Sequence, residues 1–586
     1  MGVESFALAP LDYLAIGAFF ATLSIVGYWA GRGEQASSTE YFLAGKKLPW
    51  YVVGGSFIAS NISSDHFIGM IGSAVVFGIS VSMLEWGNVI TFSLLIWFFI
   101  PFLLSAKVFT TPEYLELRFN AALRQIFAVV TVISNVVAFL AAVLYGGALA
   151  LSSLFGWDPW FAVITLGIVS GIWAIYGGLS SVAWTDLLTV AVMIVGGLTV
   201  TILGLDALAG DGGSLIDGFR IMIERNQATH GQWAEAVAVN TDHLAGGDAD
   251  AYDRMSLFQA ATHPIVPAIS LIPFILSVGV WYNVLNQFMI QRVLGARSEY
   301  DARMGIVFAG WIKVIMPLIT VVPGMILFAL HPEILLGPWD QVKPEADKGY
   351  VRLIQSLVPV GLRGLLLAAL FGAIQSTVNS VLNSTSTIVT LDIYKRMFRP
   401  QASDRDLVRV GVVSSIIILA ISILLGGFVG RLGGSLFEYI QSLYAFFAPP
   451  FAAVFVLGIL WRRINGTGAL VTIISGFGLG IAIKLYMSLA ATPPAWLVPY
   501  ANQASINWFF CLAVCSCVSL LTAPPRAEQV TDQLTFNWHK MNLWKGLGDR
   551  WYTSVVTWWG LFIVTVVALF IVFSGFVLPS LALPSL

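Results

Sequence analysis

The chain has 586 residues, of which 58% are hydrophobic and only 11% are charged. Soluble domains carry about 25% charged residues, so this composition indicates a polytopic membrane protein and excludes a soluble or disordered chain. The net charge of -2 offers no basic surface to nucleic acid, and three cysteines confined to 511–517 predict neither a disulfide framework nor a zinc site.

Apolar stretches long enough to cross a bilayer recur along the chain, since one span needs about 20 apolar residues. We predict fourteen spans, at about 11–31, 50–72, 80–104, 124–153, 158–177, 184–206, 265–291, 303–330, 350–394, 409–428, 435–460, 466–489, 504–523 and 551–579. The stretch 350–394 is expected to be one long helix, because no proline lies between Pro359 and Pro400.

Lysine and arginine are divided unequally between the two alternating sets of loops. Of the 30 such residues, 20 lie in one set, 7 in the other and 3 within or at the ends of spans. The richer set is expected inside the cell. An even number of spans then places both termini outside, in a multi-pass protein of the plasma (cell or inner) membrane that contacts lipid.

Two connecting segments are longer than simple turns. The outer loop 207–264 is polar and acidic, with an amphipathic helix predicted near 214–226. The inner segment 524–550 mixes tryptophans with basic residues, which is typical of an interfacial helix. No GxxxxGK[ST] motif is present, so ATP is not the expected energy source.

The second span is far too polar at its centre to be a simple lipid-facing helix. Residues 60–66 read SNISSDH, and Gly54, Gly55, Gly69 and Gly72 flank them. A helix interrupted here would free carbonyl oxygens for a cation and N–H groups for a substrate. The alternative is a regular buried helix whose Ser and Asn side chains bond to neighbouring helices.

Further polar groups lie within other spans. Glu85 is in the third span, WYNVLNQ occupies 281–287 of the seventh, and Lys313 is in the eighth. Glu85 could instead reach the outer interface, and Lys313 could form a structural salt bridge. In the ninth span the hydroxyls of Ser376 and Thr377 could bind Na⁺ with carbonyls of a broken helix, or simply join helices.

The two interrupted spans lie five helices apart, so spans 2–6 and 7–11 form an inverted repeat whose binding site lies at the interruptions. The predicted organisation is an extra helix and inner loop at 1–49, a first repeat at 50–206, the outer loop at 207–264, a second repeat at 265–463 with an outer loop near 331–349, and extra C-terminal helices at 464–586 with the interfacial segment near 524–550.

The chain resembles the sodium:solute symporter family, in its sodium–glucose cotransporter branch, over about 40–579. The segments that carry the resemblance include ASNISSDHFIGMIGSA (59–74), TTPEYLELRFN (110–120), QFMIQRVLGARS (287–298) and LNSTSTIVTLDIYKR (382–396). The resemblance implies an all-α, LeuT-type core of ten helices, with one extra helix before it and three after it. This total agrees with the fourteen spans predicted from the apolar stretches.

The resemblance also implies binding residues. The coupling Na⁺ would be held by carbonyls of Ala59, Ile62 and Ala373 and hydroxyls of Ser376 and Thr377, and a possible second Na⁺ by Ser60, Asp186 and Ser380. The substrate would contact Asn61, His66, Glu85, Lys313 and Gln441, with Tyr282 as the inner gate. Asn283 and Tyr444 also belong to this set, but they depart from the usual residues of the branch, which leaves the solute open.

These features predict a symporter, not an enzyme, that imports a sugar or polyol by alternating access, with Na⁺ as coupling ion and no organic cofactor. The alternatives are a sodium-coupled symporter of an amino acid, carboxylate or other small solute, and a proton-pumping enzyme subunit. Asp186 could instead cap its helix N-terminus. The number of Na⁺ ions, the oligomeric state and a partner for Asp65 stay open.

Overall fold

The computed structural model describes residues 8–32, 37–246, 252–429, 436–537, 543–575 and 577, and these are almost entirely helical. Twelve helical stretches among them are long and apolar enough to cross a membrane: Pro10–Gly31, Asp65–Ala106, Ala121–Phe155, Ala174–Ala209, Ala268–Leu285, Glu299–Leu330, Leu362–Phe398, Asp404–Val429, Phe437–Leu460, Gly466–Leu489, Tyr500–Leu521 and Val555–Val572. The predicted all-α membrane fold is therefore confirmed.

Two details reconcile these stretches with the predicted number of spans. Asp65–Ala106 bends at Gly78, where φ is 69°, so it holds the second half of one span and all of the next. Pro159–Ile172 is a further, shorter apolar helix. Counting these parts separately agrees with about fourteen spans. The sides on which the termini lie stay a prediction.

Both predicted interruptions are present. The first broken helix (50–77) runs over Trp50–Asn61, becomes extended at Ile62 and resumes at Asp65. The second broken helix (268–294) becomes extended at Asn286, with ψ of 122°, and resumes at Gln287. Unpaired backbone groups at membrane depth are tolerated only inside protein, and Ile62 and Asn286 are both buried.

The prediction of one long helix over 350–394 is wrong. A helix over Gly349–Leu357 ends at an extended Val358, and a second helix begins at Leu362. Proline disfavours a helical conformation in the residue before it, so Pro359 forces Val358 out of the helix. Gly361, with φ of 93°, completes the turn in a conformation that suits glycine.

The helix Pro159–Ala209 contains a sharp bend at Gly178, where φ is 57° and ψ is -152°. A Cβ atom built at this position would lie 2.3 Å from the carbonyl oxygen of Tyr41. Both the left-handed conformation and the close approach therefore require glycine. The bend joins two successive spans without an intervening loop.

The connecting segments carry shorter helices. The amphipathic helix predicted near 214–226 is present as Leu215–Gln227, and Ser214 caps it. Other short helices are Ser38–Leu43, Thr111–Arg118, Gly231–Val239, Thr241–Ala245 and Trp339–Asp347. The interfacial helix expected within 524–550 is not found in the described part of that segment, which holds only the one-turn helix Ala527–Val530 and is followed by another at Trp551–Thr553. Residues 538–542 lie outside the description.

A network of ion pairs joins three inner elements at their predicted cytoplasmic ends. Glu116 contacts Arg124 at 2.6 Å and Arg396 at 2.6 Å. Arg124 also contacts Asp392 at 2.6 Å, and Asp392 is fully buried. The hydrogen bonds from Arg396 and Arg124 hold the pKa of Glu116 below its ordinary value, although partial burial opposes them.

Candidate functional site

One cavity lies between the two broken helices and their neighbours. It is lined by all eight side chains predicted to bind substrate, namely Asn61, His66, Glu85, Tyr282, Asn283, Lys313, Gln441 and Tyr444. Its free volume is ≈ 90 Å³. Typical ligand pockets hold about 300–1,000 Å³, so the polar side chains here largely contact one another.

Four charged or titratable groups and one amide form a continuous buried line beside the cavity, called here the polar chain. Lys313 Nζ donates to Glu85 Oε2 at 2.5 Å and also to the Asn61 side-chain oxygen. His66 Nε2 lies 3.2 Å from Glu85 Oε1, and its Nδ1 lies 3.0 Å from Asp65 Oδ1. The polar chain thus runs Asp65–His66–Glu85–Lys313–Asn61 and gives Asp65 its partner.

The polar chain decides between two interpretations of Glu85. The side chain of Glu85 is only 3% exposed and is paired with Lys313, so the alternative of an acid reaching the outer interface is wrong. Lys313 does form a salt bridge, as its alternative interpretation held, but it does so at the wall of the cavity. Buried charges need such partners, because burial alone is costly.

Aromatic rings close the cavity on the side of the second interruption. Tyr282 and Tyr444 have ring centroids 5.5 Å apart. Phe139 stacks on Tyr444 at 4.7 Å, and Phe288 meets Tyr282 edge-on at 5.6 Å. These four rings are called here the aromatic cluster, and the role of Tyr282 as an inner gate stays a prediction.

Asn283 is held rigidly at the edge of the same cavity. Its side-chain nitrogen donates to Asn88 Oδ1 at 2.9 Å and to Thr91 Oγ1 at 3.1 Å. Its side-chain oxygen is buried and has no hydrogen-bond partner among the residues that the structure describes. A donor group entering the cavity could supply that missing partner.

The residues predicted for the coupling Na⁺ lie on the first broken helix and on the helix Leu362–Ile388. The Thr377 hydroxyl lies 3.1 Å from the Ile62 carbonyl oxygen, which the interruption frees. Ala59 and Ala373 are fully buried on the same two helices. Neutral oxygens converging in a buried place suit a monovalent hard cation. The Ser376 hydroxyl, however, points elsewhere.

The residues predicted for a second Na⁺ surround the Asp186 carboxylate. The Ser60 hydroxyl lies 3.3 Å from Asp186 Oδ2 and 2.8 Å from the Ser380 hydroxyl. Ser376 donates to Asp186 Oδ1 at 2.6 Å. The N-cap alternative for Asp186 is wrong, because the helix passes through it without a break from Gly178 to Ala209.

Arg292 also belongs to this cluster, although no local pattern in the sequence predicts it there. Arg292 directly follows the predicted span at 265–291 and is therefore expected in a loop, yet only 1% of its side chain is exposed. Its Nε donates to Ser56 Oγ at 2.8 Å, and its Nη2 lies 3.6 Å from Asp186 Oδ2 and also contacts Ser380 Oγ. Ser56 in turn donates to Asp186 at 2.6 Å.

The amino-acid sequence also matches known transporters. Residues 41–476 match the model of the Sodium:solute symporter family. The sodium/glucose cotransporter of Vibrio parahaemolyticus is 32% identical over 544 residues, which cover 90% of this chain and 94% of that relative. The chain belongs to the sodium:solute symporter family.

A second relative and a solved structure are also similar to this symporter. The sodium/myo-inositol cotransporter of Canis lupus familiaris is 32% identical over 561 residues, covering 92% of this chain and 76% of the relative. A solved structure of a Na⁺-coupled sialic acid symporter, substrate-bound and outward-open, aligns with a TM-score of 0.72 at 22% identity, covering 88% and 99% of the two chains. This likeness confirms the LeuT-type fold.

Membership of the family settles the class of protein. The symporter is a multi-pass membrane transporter and not an enzyme, so the proton-pumping subunit is excluded. Na⁺ is its coupling ion.

Proposed function

We propose that the symporter couples the inward movement of Na⁺ to the import of a sugar or another polyol. The observation that carries this proposal is the polar chain beside one cavity. Lys313 can only donate hydrogen bonds, ionised Glu85 can only accept them, and the amides of Asn61 and Gln441 do both. A ring that bears adjacent hydroxyls both donates and accepts, so it matches this alternation.

The names of the relatives support the same class of solute. The two curated relatives are called sodium/glucose and sodium/myo-inositol cotransporters, and both names specify a ring that carries several hydroxyls. A carboxylate solute fits the cavity poorly, because Lys313 is already paired with Glu85 and Asp65 adds a second acid. Bringing a third carboxylate here would place like charges together at low dielectric.

The free volume of the cavity suggests how the solute is bound. Because ≈ 90 Å³ is small, solute hydroxyls must replace contacts that the polar chain makes with itself. Charge-assisted hydrogen bonds to Glu85 and Lys313 would be the strongest of the new contacts. Release of Lys313 from Asn61 would also loosen the interrupted turn of the first broken helix.

Sodium would act on the same turn from its other side. A Na⁺ bound between the Ile62 carbonyl and the Thr377 hydroxyl would tie the first broken helix to Leu362–Ile388. Ion binding then favours the conformation in which these helices are close, and loss of the ion inside releases it. A second cation at Asp186, Ser60 and Ser380 would act on the same pair of helices.

Uptake into proteoliposomes tests the proposal. The purified symporter would receive labelled hexose, cyclic polyol, amino acid or carboxylate, under an inward Na⁺ gradient or an equal K⁺ gradient. We expect Na⁺-dependent accumulation of a hexose or polyol, abolished by Glu85→Ala and retained by Glu333→Ala, which changes an exposed outer-loop acid. Accumulation restricted to the amino acid or carboxylate would overturn the proposal.

A further inference from the structure

Arg292 places a positive charge inside a cluster that is otherwise suited to a metal cation. Its guanidinium contacts the Ser56 hydroxyl, the Ser380 hydroxyl and the Asp186 carboxylate. Asp186 and Arg292 are each 1% exposed. A carboxylate so deeply buried needs a positive partner, and within the described part of the chain Arg292 is the cation in salt-bridge contact with it.

The guanidinium and a bound Na⁺ would use the same oxygen atoms. Arg292 Nη2 faces Asp186 Oδ2 and donates to the hydroxyl of Ser380. A Na⁺ held by Asp186, Ser60 and Ser380 needs lone pairs of those same groups. Two positive charges on one buried carboxylate would also repel each other at low dielectric. Occupation by the ion therefore requires the guanidinium to withdraw.

We propose that Arg292 is a counter-cation built into the chain, which competes with Na⁺ for Asp186. The inference rests on the proposed second cation site and deepens it, because it makes that site an exchange site. Na⁺ enters as Arg292 leaves, and Arg292 returns as Na⁺ departs. The carboxylate thus keeps a positive partner at each stage.

The position of Arg292 connects this exchange to the inner gate. Arg292 lies on Gln287–Leu294, the half-helix that follows the second interruption. Its Nη1 contacts the carbonyl oxygen of Phe288, whose ring packs against Tyr282 at 5.6 Å and Phe139 at 4.9 Å. Withdrawal of Arg292 would move the half-helix that carries one ring of the aromatic cluster. Ion exchange at Asp186 and movement of the gate are then one event.

Equilibrium binding of ²²Na⁺ to the purified full-length symporter tests this, at constant ionic strength with choline as the replacing cation. In Arg292→Gln, Na⁺ no longer displaces a cation, so we expect the second ion to bind with a midpoint at least about tenfold lower than in the unmodified protein. In the double variant Asp186→Asn/Arg292→Gln, tight binding of the second Na⁺ should be lost. Arg124→Gln is the control, since it removes a half-buried arginine from the separate, buried Asp392.

A second variant covers a failure of Arg292→Gln to fold, since an unpaired buried acid is destabilising. Arg292→Lys keeps the charge on a shorter side chain without a planar fork, so it should shift the midpoint in the same direction by at least about threefold. The inference would be overturned if both Arg292 variants had the midpoint of the unmodified protein, or if tight binding of the second ion survived in Asp186→Asn/Arg292→Gln. Neither result would contradict the proposed function. No Na⁺ binding to the unmodified protein would remove the proposed function as well.

Discussion

The Ser376 hydroxyl donates a hydrogen bond to Asp186 Oδ1 at 2.6 Å. Ser376 is predicted to bind the first Na⁺ and Asp186 the second, so the two predicted cation sites meet through one hydrogen bond. The next residue, Thr377, faces Ile62 instead, because successive residues of a helix point in different directions. One helix, Leu362–Ile388, therefore carries residues of both predicted sites.

Thr377→Ala should weaken the first cation site. It removes one neutral oxygen from a dehydrated ion, a loss of about 1–3 kcal/mol by analogy with an unsatisfied buried group. The apparent affinity for Na⁺ in solute uptake should fall roughly tenfold or more. Thr377→Ser keeps the hydroxyl and should stay close to the unmodified protein. Unaltered Na⁺ dependence in Thr377→Ala would remove Thr377 from the site.

Asp186→Asn should lower the number of Na⁺ ions that move with each solute molecule. The amide keeps the shape of the side chain but loses the charge that a second cation needs. The reversal potential of the transport current reports this ratio. Asp158→Asn is the matched control, because Asp158 is a true N-cap that accepts from the backbone of Trp160 and Phe161, and Asn caps equally well. A ratio of one in the unmodified protein, unchanged by Asp186→Asn, would argue against a second ion.

Gln441→Ala should abolish solute uptake without unfolding the protein. Gln441 lines the cavity and lies on the helix Phe437–Leu460. Its truncation leaves no buried ion unpaired, whereas Glu85→Ala strands Lys313. We expect uptake at background level in both variants, with a thermal unfolding temperature reduced only in Glu85→Ala. Normal transport of sugars by both variants would exclude this cavity as the solute site.

Gly178→Ala should be strongly destabilising. A Cβ would lie 2.3 Å from the Tyr41 carbonyl oxygen, and φ is left-handed at 57°. Strain of this kind costs about 1–3 kcal/mol before the steric clash is counted. Gly478→Ala is the control, since no atom lies within 4 Å of its built Cβ. Fluorescence-detected size-exclusion chromatography after heating should separate the two variants by several degrees, and equal stability would contradict the bend at Gly178.

Protonation of Glu116 should weaken the inner ion-pair network. Its pKa is held below the ordinary value in the folded protein by Arg396 and Arg124. The stability that it contributes is therefore complete above its unfolded pKa of about 4.3 and is lost as the pH falls through the lower folded value. Glu116→Gln should unfold about 1–2 °C earlier at neutral pH. The difference should shrink towards pH 3, and parallel melting profiles at all pH values would contradict this assignment.

The amino-acid sequence predicted those features that leave a local signal. The polar run at 60–66 and the WYNVLNQ segment at 281–287 stand out against apolar surroundings, and both interruptions were confirmed. The eight substrate positions came from the family resemblance, and the structure gathers them around one cavity. What binds there stays a prediction.

Features that depend on which helices meet were not predictable in the same way. Arg292 follows an apolar run and precedes a loop, so its burial against Asp186 has no local signature. Asp65 meets Nδ1 of His66 at 3.0 Å within the π-helical turn Asp65–Met70, a local geometry that the sequence does not reveal. The break before Leu362 was misjudged although Pro359 and Gly361 stood within the stretch.

The interrupted turn of the first broken helix has a consequence for how such a transporter can change its cargo. Within a few residues it presents the Ile62 carbonyl to one predicted cation site, the Ser60 hydroxyl to the other and the Asn61 side chain to the proposed solute cavity. A substitution here would disturb energy coupling together with recognition. Selection for a new solute should therefore fall on Asn283, Gln441 or Tyr444. These residues line the cavity from other helices, so their substitution would leave the coupling to Na⁺ intact.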